Sequence, residues 1–110
     1  MKQLESCLIL GDCESELKNL KENSIDLIFT SPPYADSRAK TYGGVIPDKY
    51  VDWFLPISQE LLRVLKPDGT FVLNIKEKVV NGERHTYVMD LIIAMRTQGW
   101  LWTEEFMALP

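Results

Sequence analysis

The stretch Ile25-Asp26-Leu27-Ile28-Phe29-Thr30-Ser31-Pro32-Pro33-Tyr34 decides the fold. Ile25 to Thr30 is rich in large and β-branched apolar groups, the composition of a strand buried in a parallel sheet. The strand must stop there, because neither Pro32 nor Pro33 has an N–H to give to a ladder. Each proline fixes its own φ and restricts the residue before it, which holds Ser31, Pro32 and Pro33 extended and rigid. A hydroxyl and carbonyls are thus presented as acceptors, followed at once by the ring of Tyr34. That set suits a planar group bearing an –NH2, with the ring stacked on the plane and the acceptors taking the amino hydrogens. The plain alternative is a strand-ending turn with a packing tyrosine.

On the N-terminal side, Cys7 to Leu10 is a short apolar run that reads as a strand ending in Gly11-Asp12. Asp12 is placed to cap a helix from Cys13 to about Glu22. On the C-terminal side, a polar loop leads to Tyr50, Trp53, Phe54, Ile57, Leu61, Val64 and Leu65, which recur at helical spacing after a cap at Asp48. Pro56 inside that helix is expected to kink or split it. Lys66-Pro67-Asp68-Gly69 is a turn signature, and Thr70 to Ile75 a second buried strand. Lys76 to Arg84 reads as a charged loop, or as a hairpin with Asn81-Gly82 at its tip. A helix from about Thr86 to Gln98, with Val88, Leu91, Ile92 and Met95 on one face, ends at Gly99, and Trp100 to Met107 reads as a last strand. The order β-α-β-α-β-α-β implies an α/β fold with a parallel sheet and right-handed crossovers. In such sheets ligands bind at the carboxyl ends of the strands, where Gly11-Asp12 and Ser31-Pro32-Pro33-Tyr34 fall.

Composition narrows the classes. At 110 residues, 45% apolar and 25% charged, the chain is one globular domain rather than a disordered segment. No apolar run approaches the roughly 20 residues of a membrane-spanning helix, and the N-terminus is not a secretory signal. Cys7 and Cys13 are the only cysteines and are expected as core thiols of a reduced, cytoplasmic protein. With one histidine, no metal site is expected, and His85 reads as a solvated loop residue. Twelve basic against sixteen acidic residues give a net charge of −4, which argues against holding nucleic acid by bulk charge while leaving local contacts open.

Gly11-Asp12, Leu17, Leu20 and the run from Ser24 to Tyr34 resemble the DNA amino-methyltransferases, which modify N4 of cytosine or N6 of adenine with S-adenosylmethionine. The resemblance continues through Tyr50 to Leu65, Lys66 to Gly69, Phe71 to Asn74 and Gly99-Trp100, nearly the whole chain. It implies a Rossmann-like methyltransferase fold in which residues 1–110 are the N-terminal part of the catalytic domain. Ser31, Pro32, Pro33 and Tyr34 then form the catalytic motif, into which a base is flipped from the duplex. Asp12 and Ser31 fall at the cofactor, Asp12 on its adenine. The leading serine favours N4 of cytosine over N6 of adenine. Arg38, Lys40, Lys76 and Lys78 are the residues expected on DNA phosphates, although Glu77 and Glu83 make a merely solvated loop a competing reading.

The family's glycine-rich F-x-G-x-G turn, which wraps the cofactor's methionine end, is not found, and Gly43-Gly44 does not fit it. The resemblance places that motif beyond Pro110, so the chain is expected to hold half of the sheet. An open strand edge invites pairing, hence a second polypeptide or self-association as a partner besides DNA. The competing expectations are a truncated, non-catalytic remnant or interaction module, and a methyltransferase acting on RNA or protein amides.

Overall fold

The computed structural model describes residues 6–33, 35 and 45–106. In chain order the elements are α1 (Cys13–Leu17), β1 (Ile25–Thr30), α2 (Pro47–Val64), β2 (Leu65–Leu73), β3 (Val79–Val80), β4 (Glu83–Arg84) and α3 (Tyr87–Gln98). β1 and β2 are parallel neighbours, with α2 in the connection between them. The fold is therefore α/β around a parallel pair, as expected, with two strands in the parallel sheet among the described residues where the sequence suggests four.

β1 begins and ends where its apolar run does. The ladder pairs Leu27 with Thr70 and continues to Thr30 with Leu73. Asn74 extends it by one bond, its N–H donating to the Thr30 carbonyl at 2.9 Å. β2 starts earlier than expected. Ile25 already pairs with Leu65, so residues 66–69 bulge out opposite Asp26. The Lys66-Pro67-Asp68-Gly69 turn persists as that bulge inside the strand, pinned by Lys66 Nζ at 2.8 Å from Asp26 Oδ1.

The core lies on one face of this pair. Tyr50, Phe54, Ile57 and Leu61 of α2 meet Tyr87, Val88, Leu91 and Met95 of α3, with Ile28, Phe71 and Leu73 packed against them. These are the helical spacings read from the sequence. The other sheet face is bare, with Leu27 62% and Phe29 70% exposed. β1 is thus buried on one side only. The segments expected as first and last strands are not strands either. Residues 6–10 and 100–106 pair with nothing among the described residues, and Leu8 (98%) and Leu101 (87%) face solvent. Met107 lies outside the described residues. Apolar composition makes a segment fit for a sheet, but only a neighbouring strand supplies the backbone hydrogen bonds.

Other differences have local causes. α2 starts after Ile46 with Pro47 in its first turn, so Asp48 is inside the helix rather than its cap. Pro56 forfeits one intrahelical bond without splitting the helix, which stays one element because buried residues on both sides of it share the same core. α1 is shorter than expected. Asp12 does cap it, but the chain turns away after Leu17, and Arg63 donates to the carbonyl of Leu17 at 2.8 Å and to that of Leu20 in the following turn at 2.9 Å. Cys7 and Cys13 are exposed rather than core. The hairpin alternative holds for β3 and β4, with Asn81 (φ 54°) and Gly82 (φ 80°) giving the two positive φ values of a type I′ turn.

A buried polar clasp locks the helices together. Ser58 Oγ accepts from Trp100 Nε1 at 2.8 Å and donates to Gln98 Oε1 at 2.8 Å, while Gln98 Nε2 donates to the Leu55 carbonyl at 2.9 Å. Ser58→Ala strands two of these groups and is expected to cost about 1–3 kcal/mol in chemical denaturation. Gly69→Ala is expected to cost about 1–3 kcal/mol by the same measurement. Its added Cβ would lie 2.7 Å from Leu65 Cδ1 and 2.9 Å from the Asp26 carbonyl oxygen.

Candidate functional site

Because β1 and β2 run parallel, their carboxyl ends share one edge, and the distinctive residues collect there. Ser31 is exposed directly after β1, and Asn74 directly after β2. Asn74 Nδ2 donates to Ser31 Oγ at 3.3 Å. A serine oxygen has two lone pairs, so this bond leaves one lone pair and the O–H open to a ligand. Pro32 is half-buried and Pro33 exposed. The Pro33 carbonyl is taken by a helix: Tyr50 of α2 donates its hydroxyl to it at 2.5 Å.

Tyr50 is itself buried and set in an aromatic cluster, 5.3 Å from Trp53 and 5.0 Å from Tyr87 between ring centroids. His85 closes that cluster rather than being a solvated loop residue. Its Nδ1 accepts from the Tyr87 N–H at 3.0 Å, and its Nε2 lies 2.7 Å from Asp48 Oδ1. With Nδ1 an acceptor, the Nε2 proton is the one that reaches Asp48. The start of α3 is thereby tied to the start of α2, on the helix that carries Tyr50.

The other expected site residues are placed less centrally. Asp12 stands at a helix cap, not at a strand end, and its Oδ2 accepts from the Ser15 N–H at 3.1 Å and the Ser15 hydroxyl at 3.2 Å. The next residue, Cys13, has a thiol pushed above its ordinary pKa by desolvation and then by the Asp12 carboxylate, so it is a thiol and not a thiolate at neutral pH. Lys76 and Lys78 leave the β2 end on the segment that follows Asn74, Lys76 exposed and Lys78 half-buried. Glu77 between them pairs with Arg84 at 3.1 Å, so local charge is mixed as the competing reading has it. Tyr34, Arg38, Lys40, Gly43 and Gly44 lie outside the described residues. Among the described residues, no three His, Cys, Asp or Glu side chains converge as a metal site would need.

Two residues of the site escape sequence reasoning. Asn74 reads as a polar residue within the strand Thr70 to Ile75, and Tyr50 as one more member of the α2 apolar face. The available signal for Asn74 is an amide side chain ending a parallel strand beside a serine that ends its neighbour. Nothing local marks Tyr50, whose hydroxyl acts across 17 residues.

Comparison with known proteins gives the family of the chain. A family model described as DNA methylase matches residues 25–106. The type II methyltransferase M.PvuII of Proteus hauseri is 35% identical over 102 residues, covering 90% of this chain and 30% of the relative. M.HpaI of Haemophilus parainfluenzae is 39% identical over 103 residues, covering 89% of this chain and 31% of the relative. The DNA adenine methyltransferase YhdJ of Escherichia coli K12 is 36% identical over 77 residues, covering 66% and 26%. The solved structure of PvuII DNA methyltransferase (cytosine-N4-specific) superposes with a TM-score of 0.68 at 38% identity, over 80% of this chain and 32% of that one. The chain thus spans about a third of the length of M.PvuII and M.HpaI. The family model spans more than half of the chain, and with these relatives it makes the chain a member of the DNA methylase family.

Proposed function

We propose that this chain is the base-binding and methyl-transfer portion of a DNA methyltransferase that modifies an exocyclic amino group, N4 of cytosine in preference to N6 of adenine. The observation that carries the proposal is the acceptor set at the β1–β2 edge: an exposed Ser31 hydroxyl steadied by Asn74, next to two prolines that have no N–H of their own. The cytosine preference rests on the leading serine and on the likeness to a cytosine-N4-specific enzyme.

The amino nitrogen of a base is a poor nucleophile, because its lone pair is delocalised into the ring. Ser31 Oγ and the Pro32 carbonyl accept its two hydrogens, which favours a pyramidal nitrogen with a localised lone pair. The same acceptors stabilise the positive charge that develops as the nitrogen is alkylated. Tyr34 stacks on the base and sets its direction of approach. No strong general base is required before attack, since the N–H is acidic once the nitrogen carries the new bond. Lys76 and Lys78, with Arg38 and Lys40, hold phosphates and supply position rather than base identity.

S-adenosylmethionine, which the family implies, is fitted in part by the residues present. Ser31 is exposed at the edge, and Asp12 offers the donor's adenine the carboxylate oxygen that Ser15 leaves open. No glycine-rich turn for the donor's methionine end occurs in the sequence. When bound, the donor supplies a sulfonium methyl: the amino nitrogen forms the N–C bond as the C–S bond breaks, a neutral thioether leaves, and the surplus proton passes to water. The bare sheet face and the partial coverage of M.PvuII support a chain that works with the rest of the methyltransferase fold, joined to it or supplied by a second polypeptide.

The test is labelled methyl transfer from S-adenosylmethionine to duplex DNA, RNA and a glutamine peptide in parallel. Label is expected in the DNA alone; label confined to RNA or peptide contradicts the proposal. Ser31→Ala is expected to lower the DNA rate by about 10²–10³. Asn74→Asp turns the Ser31 hydroxyl into a donor to the new carboxylate, and a loss of about 10-fold or more is expected from the misdirected acceptor.

A further inference from the structure

We propose that Tyr50 is a positioning residue for the methyl-transfer motif, and that its hydroxyl divides the motif's carbonyls between scaffold and substrate. The proposal rests on the functional reading above. Ser31, Pro32 and Pro33 present a hydroxyl and successive carbonyls at the sheet edge, and nothing in their own chemistry says which of these faces a ligand. Tyr50 decides it. Its hydroxyl donates to the Pro33 carbonyl at 2.5 Å, so that carbonyl is turned to α2 and one of its lone pairs is taken by the scaffold. Ser31 Oγ and the Pro32 carbonyl are left as the substrate's acceptors.

The contact is built to hold one direction. Tyr50 is fully buried, and its ring is wedged between Trp53 and Tyr87 at 5.3 and 5.0 Å. The cluster is closed by His85, which binds the Tyr87 N–H and Asp48 at the start of α2. A ring packed this way cannot follow a moving loop, so the Pro33 carbonyl is fixed by the helix. A peptide group is planar, so fixing that carbonyl also fixes the amide plane on the C-terminal side of Pro33.

Tyr50→Phe removes the hydroxyl and keeps the ring in the cluster. With the protein in its active form, kcat for DNA methylation is expected to fall about 10- to 100-fold, the cost of a small misplacement of reacting groups. The dissociation constant for S-adenosylmethionine is expected to stay within about twofold, because the donor is not held by Pro33. A role limited to stability would lower the melting temperature and leave kcat per folded molecule unchanged, and that result overturns the proposal. The second readout needs no turnover. With Pro33 labelled at its carbonyl carbon, the 13C resonance is expected to move upfield in Tyr50→Phe as the hydrogen bond is lost. An unmoved resonance overturns the proposal too. If the unaltered protein transfers no methyl group, the functional reading fails and the positioning role with it, while the Pro33 resonance still reports whether the contact exists.

Discussion

Neither Pro32 nor Pro33 can donate a hydrogen bond, and the arrangement of the sheet edge follows from that. The β1–β2 ladder closes with the Asn74 N–H on the Thr30 carbonyl, and neither proline has an N–H with which to extend it. The carbonyls of the two prolines lie beyond that last bond. One of them is captured by Tyr50 from α2, and the Ser31 hydroxyl is steadied by Asn74 from β2. A backbone that cannot pair with a strand thus becomes a set of acceptors aimed by side chains from two other elements. The catalytic chemistry of an amino-methylating enzyme asks for acceptors of this kind and little else.

Where local chemistry decides an element, it was legible in the residues. β1 has the limits of its apolar run, because the prolines end it on one side and the Asn23-Ser24 turn precedes it on the other. Asn81-Gly82 signalled the hairpin, since both positions need positive φ. The α2 and α3 faces followed from helical spacing. What was not legible depends on partners. Cys7 to Leu10 and Trp100 to Phe106 have strand-like composition and lie unpaired, because strand formation is a property of two segments. Lys66 to Gly69 reads as a turn ahead of the strand, yet it lies within β2, since Leu65 pairs with Ile25 and the four residues bulge between. Pro56 broke a local rule that the shared core of α2 outweighed.

The site divides in the same way. Ser31-Pro32-Pro33 stands out in the sequence through the stiffness of two prolines after a hydroxyl, and carries the proposed site. Asn74 and Tyr50 did not, because their roles lie in contacts 43 and 17 residues away along the chain. Asp12 shows how one residue type serves two readings, since a carboxylate at a helix start is a cap before it is anything else. His85 went from solvated loop residue to the tie between two helices once Asp48 and Tyr87 came within reach.

The most direct measurement is mass-spectrometric nucleoside analysis of DNA from cells that produce the protein, compared with cells that produce Ser31→Ala. N4-methylcytosine present with the unaltered protein and absent with the variant is the predicted result. Identical nucleoside profiles from the two would contradict the account, and N6-methyladenine in place of N4-methylcytosine would contradict its choice of base.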